Sequence, residues 1–195
     1  MPTTATPQAP AGRITRRQQL VTSAARLFAE RGFHGVTIEE IGTSVGISGP
    51  GLYKHFASKD AVLAEMLVGI SQNLLDQGRV RVAGVLTPEK TLRELLAFHT
   101  DFALTQPDLI RVQDRDLANL SDGEARRVRR LQRAYVELWV EVLIESEPRL
   151  SLEEVRTRVH AVFGLLNSTP HSAATRDANT VRPILEKMAY AALTS

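Results

Sequence analysis

Apolar side chains recur every three or four positions along most of this chain, and the alternation at two that marks a half-buried strand is missing. Leu20, Ala24, Leu27 and Phe28 repeat in this way, as do Leu92, Leu95 and Leu96, then Val128, Leu131, Tyr135, Leu138 and Val142. Starts are marked as well. Thr15, Thr37, Ser121 and Ser151 each precede Gln or Glu by three residues, the pattern of a capping box that satisfies two orphan N–H groups at once. Thr87 precedes Pro88, whose missing N–H costs nothing at the first helical position. The spacing predicts an all-α chain of about nine helices, near 15–31, 37–44, 48–55, 58–82, 88–105, 107–119, 122–146, 151–169 and 179–193. The first three are short and joined by tight turns, where Gly32, Gly35 and Gly46 supply permissive backbone. Residues 1–12, rich in Pro, Thr and Ala, carry no such period and read as a disordered arm.

Composition narrows the function classes. A chain of 195 residues with 43% apolar side chains can bury a real core as one domain or two small ones. Cysteine is absent, which excludes disulfides, thiolate metal sites and a Cys nucleophile. No uncharged apolar run approaches the roughly 18 residues of a membrane span, and residues 1–12 lack the apolar centre of a secretory signal. A cytoplasmic protein without membrane partners is expected. The five histidines form no HExxH pattern, and there is neither a GxSxG elbow nor a phosphate-binding glycine loop. No catalytic residue, metal or cofactor is therefore expected. Net charge is only +2. It is uneven, however: residues 1–60 hold seven basic against four acidic side chains, and the remainder 17 against 18. A polyanion would be met by the N-terminal third.

That third contains TIEEIGTSVGISGPGLYKHF, residues 37–56. A capped helix carries Ile38, Ile41 and Val45 on one face, and a turn at Gly46 passes Ile47. A second short helix, with Ser48 as its cap, turns Leu52 and Phe56 toward the first. Gly49, Pro50, Gly51, Tyr53, Lys54 and His55 are left outward. Two glycines and a proline are poor helix formers, but small residues let a backbone approach a groove floor. This is the helix-turn-helix pattern.

From about Arg17 to Leu63 the chain resembles the tetracycline-repressor (TetR) family of bacterial transcription regulators. The matching positions include Ala25-Arg-Leu-Phe28, Gly32-Phe33, Thr37, Ile41, Val45-Gly46-Ile47-Ser48, Leu52-Tyr53, His55-Phe56 and Ser58-Lys59-Asp60. Gly42 stands where the family usually has Ala, and Gly51 where it favours Ser, Thr or Ala. The resemblance implies a DNA-binding unit over residues 13–57 and a ligand-binding and dimerisation unit over 58–195. It further implies that Thr37, Tyr53, His55 and Lys59 meet the DNA backbone. Ser48, Gly49, Pro50, Gly51 and Lys54 would face base edges of the major groove. Arg13, Arg16 and Arg17 are candidates for phosphate or minor-groove contact, or belong to a solvated arm.

Beyond residue 65 the resemblance fades, and the pattern of residues leads. Val155, Val159, Val162, Phe163 and Leu166 form a stripe on a helix whose other side is also apolar, and Ile184, Leu185 and Met188 form another. Helices apolar all round need two partners. Since the last two helices of the family form a four-helix bundle between subunits, these residues are the expected homodimer interface. Twofold symmetry would set two reading helices about 34–36 Å apart, on successive major grooves of a palindromic operator. The middle helices carry Phe98, His99, Phe102, Tyr135 and Trp139, and with Phe163 and Asn167 these are the candidate lining of a small-molecule effector site; plain core packing is the competing reading. The partners expected are thus double-stranded DNA, a second copy and a small hydrophobic effector, with a fatty acyl or acyl-CoA compound as one option. A dimeric DNA-binding regulator without any effector is the alternative. Arg126, Arg127, Arg129, Arg130 and Arg133 crowd one helix, either as a solvated face or as a strip for a polyphosphate tail.

Overall fold

The capping signals act where they were expected. Thr15, Thr37 and Ser151 each accept from the N–H three residues on, while Gln18, Glu40 and Glu154 reach back to the cap N–H. Ser121 keeps only the hydroxyl half, accepting from Glu124 N–H at 3.3 Å. The computed structural model describes residues 14–84, 87–173 and 176–195; Arg13 and the expected 1–12 arm lie outside them. The described residues form α1 (Arg16–Arg31), α2 (Ile38–Ser44), α3 (Gly49–Tyr53), α4 (Lys59–Val82), α5 (Pro88–Thr105) and α6 (Pro107–Asp116). They continue with α7 (Asp122–Ser146), α8 (Leu152–Asn167), the single turn α9 (Thr169–Ser172) and α10 (Ala178–Thr194). Two expected helices are divided. The one ending at 119 finishes as a 3₁₀ turn, Leu117–Asn119, and the one ending at 169 breaks after Asn167, just before Pro170. Among the described residues there is no strand, and no helix is long and apolar enough to cross a membrane.

α1, α2 and α3 share a core of Leu20, Ala24, Phe28, Ile41, Leu52 and Phe56. Gly46, at φ 71°, makes the corner between α2 and α3, a conformation that a residue with a Cβ rarely adopts. Gly42 also has a reason to lack a side chain. A Cβ there would lie 3.1 Å from Ile47 O and 3.2 Å from Leu52 Cδ2, so its absence lets α3 close on α2.

α4 leaves this unit and packs chiefly on α7, which packs also on α5 and α8; α10 closes on α5 and α8. Of the expected dimer stripe, Val155, Val159, Val162 and Leu166 are fully buried within the protomer, and Leu185 is buried as well. Burying such a side chain stabilises by about 1.5–3 kcal/mol, so turning that stripe outward would cost far more than a new contact returns. That expectation is corrected: this stripe is the protomer's own core. Ile184 and Met188, by contrast, stay 54% and 51% exposed, and Leu152 on α8 joins them at 52%.

α6 joins the two parts of the molecule. Arg115 donates to Phe28 O and to Ala29 O at the C-terminal end of α1, and it pairs with the buried Asp116. His34 Nε2 meets Asn119 Oδ1 at 3.0 Å in the following turn. One turn earlier, Arg111 donates to Pro170 O of α9 at 2.8 Å.

Candidate nucleic-acid interface and ligand core

α3 is five residues long, and its inner side is settled by Leu52 at 0% exposure, with Phe56 just beyond the helix at 2%. The opposite side presents Ser48, Pro50, Tyr53 and Lys54 to solvent, with Gly51 and His55 half-buried. Ser48 makes no capping bond, contrary to expectation. Pro50 stands at the second helical position and offers no N–H, which removes one of the two donors a cap hydroxyl normally takes. The hydroxyl therefore stays on the open face. Lys54 has no hydrogen bond or ion pair among the described residues, and neither does the His55 ring. Tyr53 is held across the motif, its hydroxyl donating to Glu39 Oε1 at 2.9 Å; that bond to a carboxylate pushes the phenol up. Ser48, Pro50, Gly51 and Lys54 thus share one small, open surface whose only formal charge is Lys54.

Four other expected DNA contacts are engaged inside the protein. Thr37 donates its N–H and hydroxyl to Glu40 Oε2, at 2.7 and 3.0 Å, and accepts from Glu40 N–H. Arg31 lies 2.7 Å from the same carboxylate and, with Thr37, holds its pKa down to about 2. A phosphate at this helix start would face an ionised Glu40 and find the Thr37 hydroxyl taken. Arg17 donates to both oxygens of Glu65 at 2.8 Å and to His55 O, with its guanidinium 4.1 Å above the Phe56 ring. Lys59 donates to Phe33 O at 2.7 Å and Val36 O at 2.8 Å and stands 4.3 Å over the Phe33 ring. Arg16 donates to Gln19 Oε1 at 2.8 Å and to Val45 O at 3.3 Å but stays exposed. Thr37, Arg17 and Lys59 are in the first place parts of the scaffold that aims α3. The physical reason is shared by all three: carbonyls at a turn and the carboxylates of Glu40 and Glu65 are nearer partners than any phosphate.

In the other half, α5, α7 and α8 bring His99, Tyr135, Trp139 and Phe163 together. Ring centroids lie 4.8 Å apart for His99 and Phe163, 5.1 Å for Trp139 and Phe163, 5.6 Å for Tyr135 and Phe163, and 5.8 Å for His99 and Tyr135. Phe102 reaches the edge of the group, 5.8 Å from His99. His99 Nε2 donates to Asn167 Oδ1 at 3.2 Å, which leaves Nδ1 to accept from Tyr135 OH at 3.4 Å. That pairing requires a neutral ring. Burial lowers the His99 pKa to about 4 and raises that of Tyr135. Trp139 Nε1 is buried without an acceptor among the described residues. Phe98 is corrected: one residue along α5 from His99 it is turned by about 100°, and it packs under Arg81, 4.0 Å from its ring. Gly78 of α4 admits Tyr135, for a Cβ there would sit 2.8 Å from the ring. Neither Gly78 nor Arg115 was legible as a site residue, because each acts through a partner far off in sequence.

Against known proteins, residues 20–66 match the model described as bacterial regulatory proteins, tetR family, and residues 85–171 match a tetracyclin repressor-like C-terminal domain. The HTH-type transcriptional repressor KstR2 of Rhodococcus jostii is 31% identical over 133 residues, 68% of this chain. That match spans 65% of the relative's own length. Among solved structures, the ketosteroid transcriptional regulator KstR2 of Mycobacterium tuberculosis superposes with a TM-score of 0.79 at 22% identity, covering 96% of this chain and 100% of that one. AibR in complex with isovaleryl coenzyme A and operator DNA gives 0.73 at 17% identity, covering 89% and 97%.

Proposed function

The chain belongs to the tetR family of bacterial regulatory proteins, DNA-binding transcription regulators rather than enzymes, and from that premise we propose that it is a ligand-responsive repressor acting as a dimer on a palindromic operator. The observation that carries this reading is one chain holding both an open α3 face and, far from it, a buried aromatic group whose polar atoms converge. Residues 13–57 read DNA in this proposal. Ser48, Gly49, Pro50, Gly51 and Lys54 lie in the major groove, Lys54 donating to guanine O6 or N7, while Tyr53 and His55 flank the backbone. Residues 58–195 bind the effector and pair the subunits through the outer faces of α8 and α10, where Leu152, Ile184 and Met188 stand exposed.

The effector is a hydrophobic acyl compound, free or as its coenzyme A thioester, placed among Phe102, His99, Tyr135, Trp139, Phe163 and Asn167. One similarity supports that class, a neighbour described in complex with isovaleryl coenzyme A. Trp139 N–H and the Asn167 amide N–H supply donors that an effector carbonyl can take, since the Tyr135 hydroxyl is given to His99. Weakening operator affinity a hundredfold requires the effector to prefer the non-binding arrangement by about 2.7 kcal/mol. The test is fluorescence anisotropy on DNA flanking the protein's own gene, with a panel of acyl-CoA thioesters and ketosteroids. Release of DNA by one panel member, with a matching rise in Tm, is expected. DNA binding untouched by every member, with no Tm shift, favours the effector-free alternative.

A further inference from the structure

The arginine strip of α7 has an acidic counterpart further along the same helix. Arg126, Arg127, Arg129, Arg130 and Arg133 are all exposed, and none has a hydrogen bond or ion pair among the described residues. Arginines elsewhere are commonly engaged: Arg17 with Glu65, Arg31 with Glu40, Arg93 with Glu89, Arg182 with Asp101. One turn beyond Arg133, Glu137, Glu141 and Glu145 follow at intervals of four. Glu141 and Glu145 are exposed and equally unpaired, while Glu137 reaches Arg156 of α8 at 2.8 Å. At about 100° per residue, Arg126, Arg130, Arg133, Glu137, Glu141 and Ile144 fall along one line of the helix surface. The opposite side, with Val128, Tyr135, Leu138, Trp139 and Val142, is the buried one.

Charges placed for helix stability are interspersed, with Glu one turn before its cation; here they are segregated and in the reverse order. Segregation leaves only Arg133 and Glu137 of the two blocks within reach of each other along the helix, and it makes the line self-complementary. A twofold axis beside α7, at the level of Tyr135, sets Arg133 opposite Glu137 and Arg130 opposite Glu141 of a second copy, with Arg127 facing Glu145 on the flank of that line, and the same three pairs are repeated in reverse. A polyanion lying along the helix would instead run onto the three glutamates.

We propose that the outer face of α7 is a second self-association surface, on which another copy of this chain docks antiparallel through these pairs. It is distinct from the α8 and α10 faces and uses charge where they use apolar contact. Being a set of exposed ion pairs, it is weak and labile to salt.

Sedimentation velocity of the full chain over a concentration series, at about 50 and about 500 mM NaCl, tests it. The expected result is a mean mass at low salt that rises with concentration to at least twice the high-salt mass, because each dimer carries two such faces, with the association weakening at least about tenfold at high salt. R127E/R130E and E141R/E145R should each abolish that growth alone. Mixed in equal amounts they should restore it, since each reversed pair of charges then meets its opposite on the other variant. One mass at every concentration in low salt, unchanged assembly of either variant, or no recovery on mixing overturns the proposal. So does a parent that stays at one mass yet binds inorganic polyphosphate through Arg126 and Arg130.

Discussion

Lowering the pH should loosen the aromatic group through one residue, His99. Its ring is buried, and its neutral form is the one that fits, with Nε2–H given to Asn167 and Nδ1 accepting from Tyr135 OH. Its pKa falls from 6.5 to about 4 on folding, by burial. The unfolded chain therefore takes up this proton first as pH drops. The contribution is fully present above pH 6.5 and is lost as pH falls through the window between 6.5 and about 4. Across that whole window the shift corresponds to about 3 kcal/mol; between about pH 7.5 and pH 5, linkage gives about 2 kcal/mol. His99→Gln keeps a donor for Asn167 but cannot titrate. The assay is urea unfolding followed by the fluorescence of Trp139, the sole tryptophan and a member of the same group. Carboxylates such as Glu40, Glu89 and Glu154, held down by their partners, weaken both proteins alike in acid and cancel in the difference. Parent and variant should therefore diverge by about 2 kcal/mol in their loss on acidification. Equal losses would show that His99 is not desolvated as its packing implies.

Lys54→Ala should weaken operator binding and blur its sequence preference by about 1–3 kcal/mol at one base pair, with Tm unchanged. Lys59→Ala should do the reverse in stability, lowering it by about 1–3 kcal/mol as two carbonyls and the Phe33 ring lose their cation, whichever DNA is offered. Gly78→Ala should destabilise despite the roughly 1 kcal/mol that alanine normally adds to a helix, because its Cβ meets Tyr135; Gly69→Ala on the same helix, with open space around it, should stabilise, and calorimetry of the pair reads the sign. Arg115→Ala should cost about 1–3 kcal/mol in urea unfolding, since it uncovers the α1 carbonyls and leaves the buried Asp116 without its cation.

Much of the architecture was legible because it rests on local terms. A hydroxyl three residues before a carboxylate marks a helix start whatever surrounds it, and Thr15, Thr37 and Ser151 behave so. The 3.6 period placed Leu52 of α3 and Phe56 beyond it inside and left Lys54 out. Period alone did not say which of two apolar sides faces inward. On α8 the stripe of Val155, Val159, Val162 and Leu166 is the inner one, and only the packing of α7 and α10 against it decides the matter.

Side-chain partners across long sequence separations were the illegible part, and they change the account of the DNA-binding end. Arg17 and Lys59 counted toward a positive N-terminal third, yet Arg17 is bound to Glu65, 48 residues away, and Lys59 to carbonyls more than 20 residues back. Glu39 is tied to Tyr53 and Glu40 to Arg31 in the same region. Arg17, Arg31 and Lys59 are thus committed to holding α1, α2, α3 and α4 together. What remains open on α3 is Lys54 with the small residues around it. Affinity for phosphates in general should then be modest, and discrimination should rest on how firmly the clamps aim that short helix. It follows that variants of Arg17 and Lys59, which touch no base in this arrangement, should change specificity through orientation. Variants of Lys54 should change it by contact, leaving stability alone.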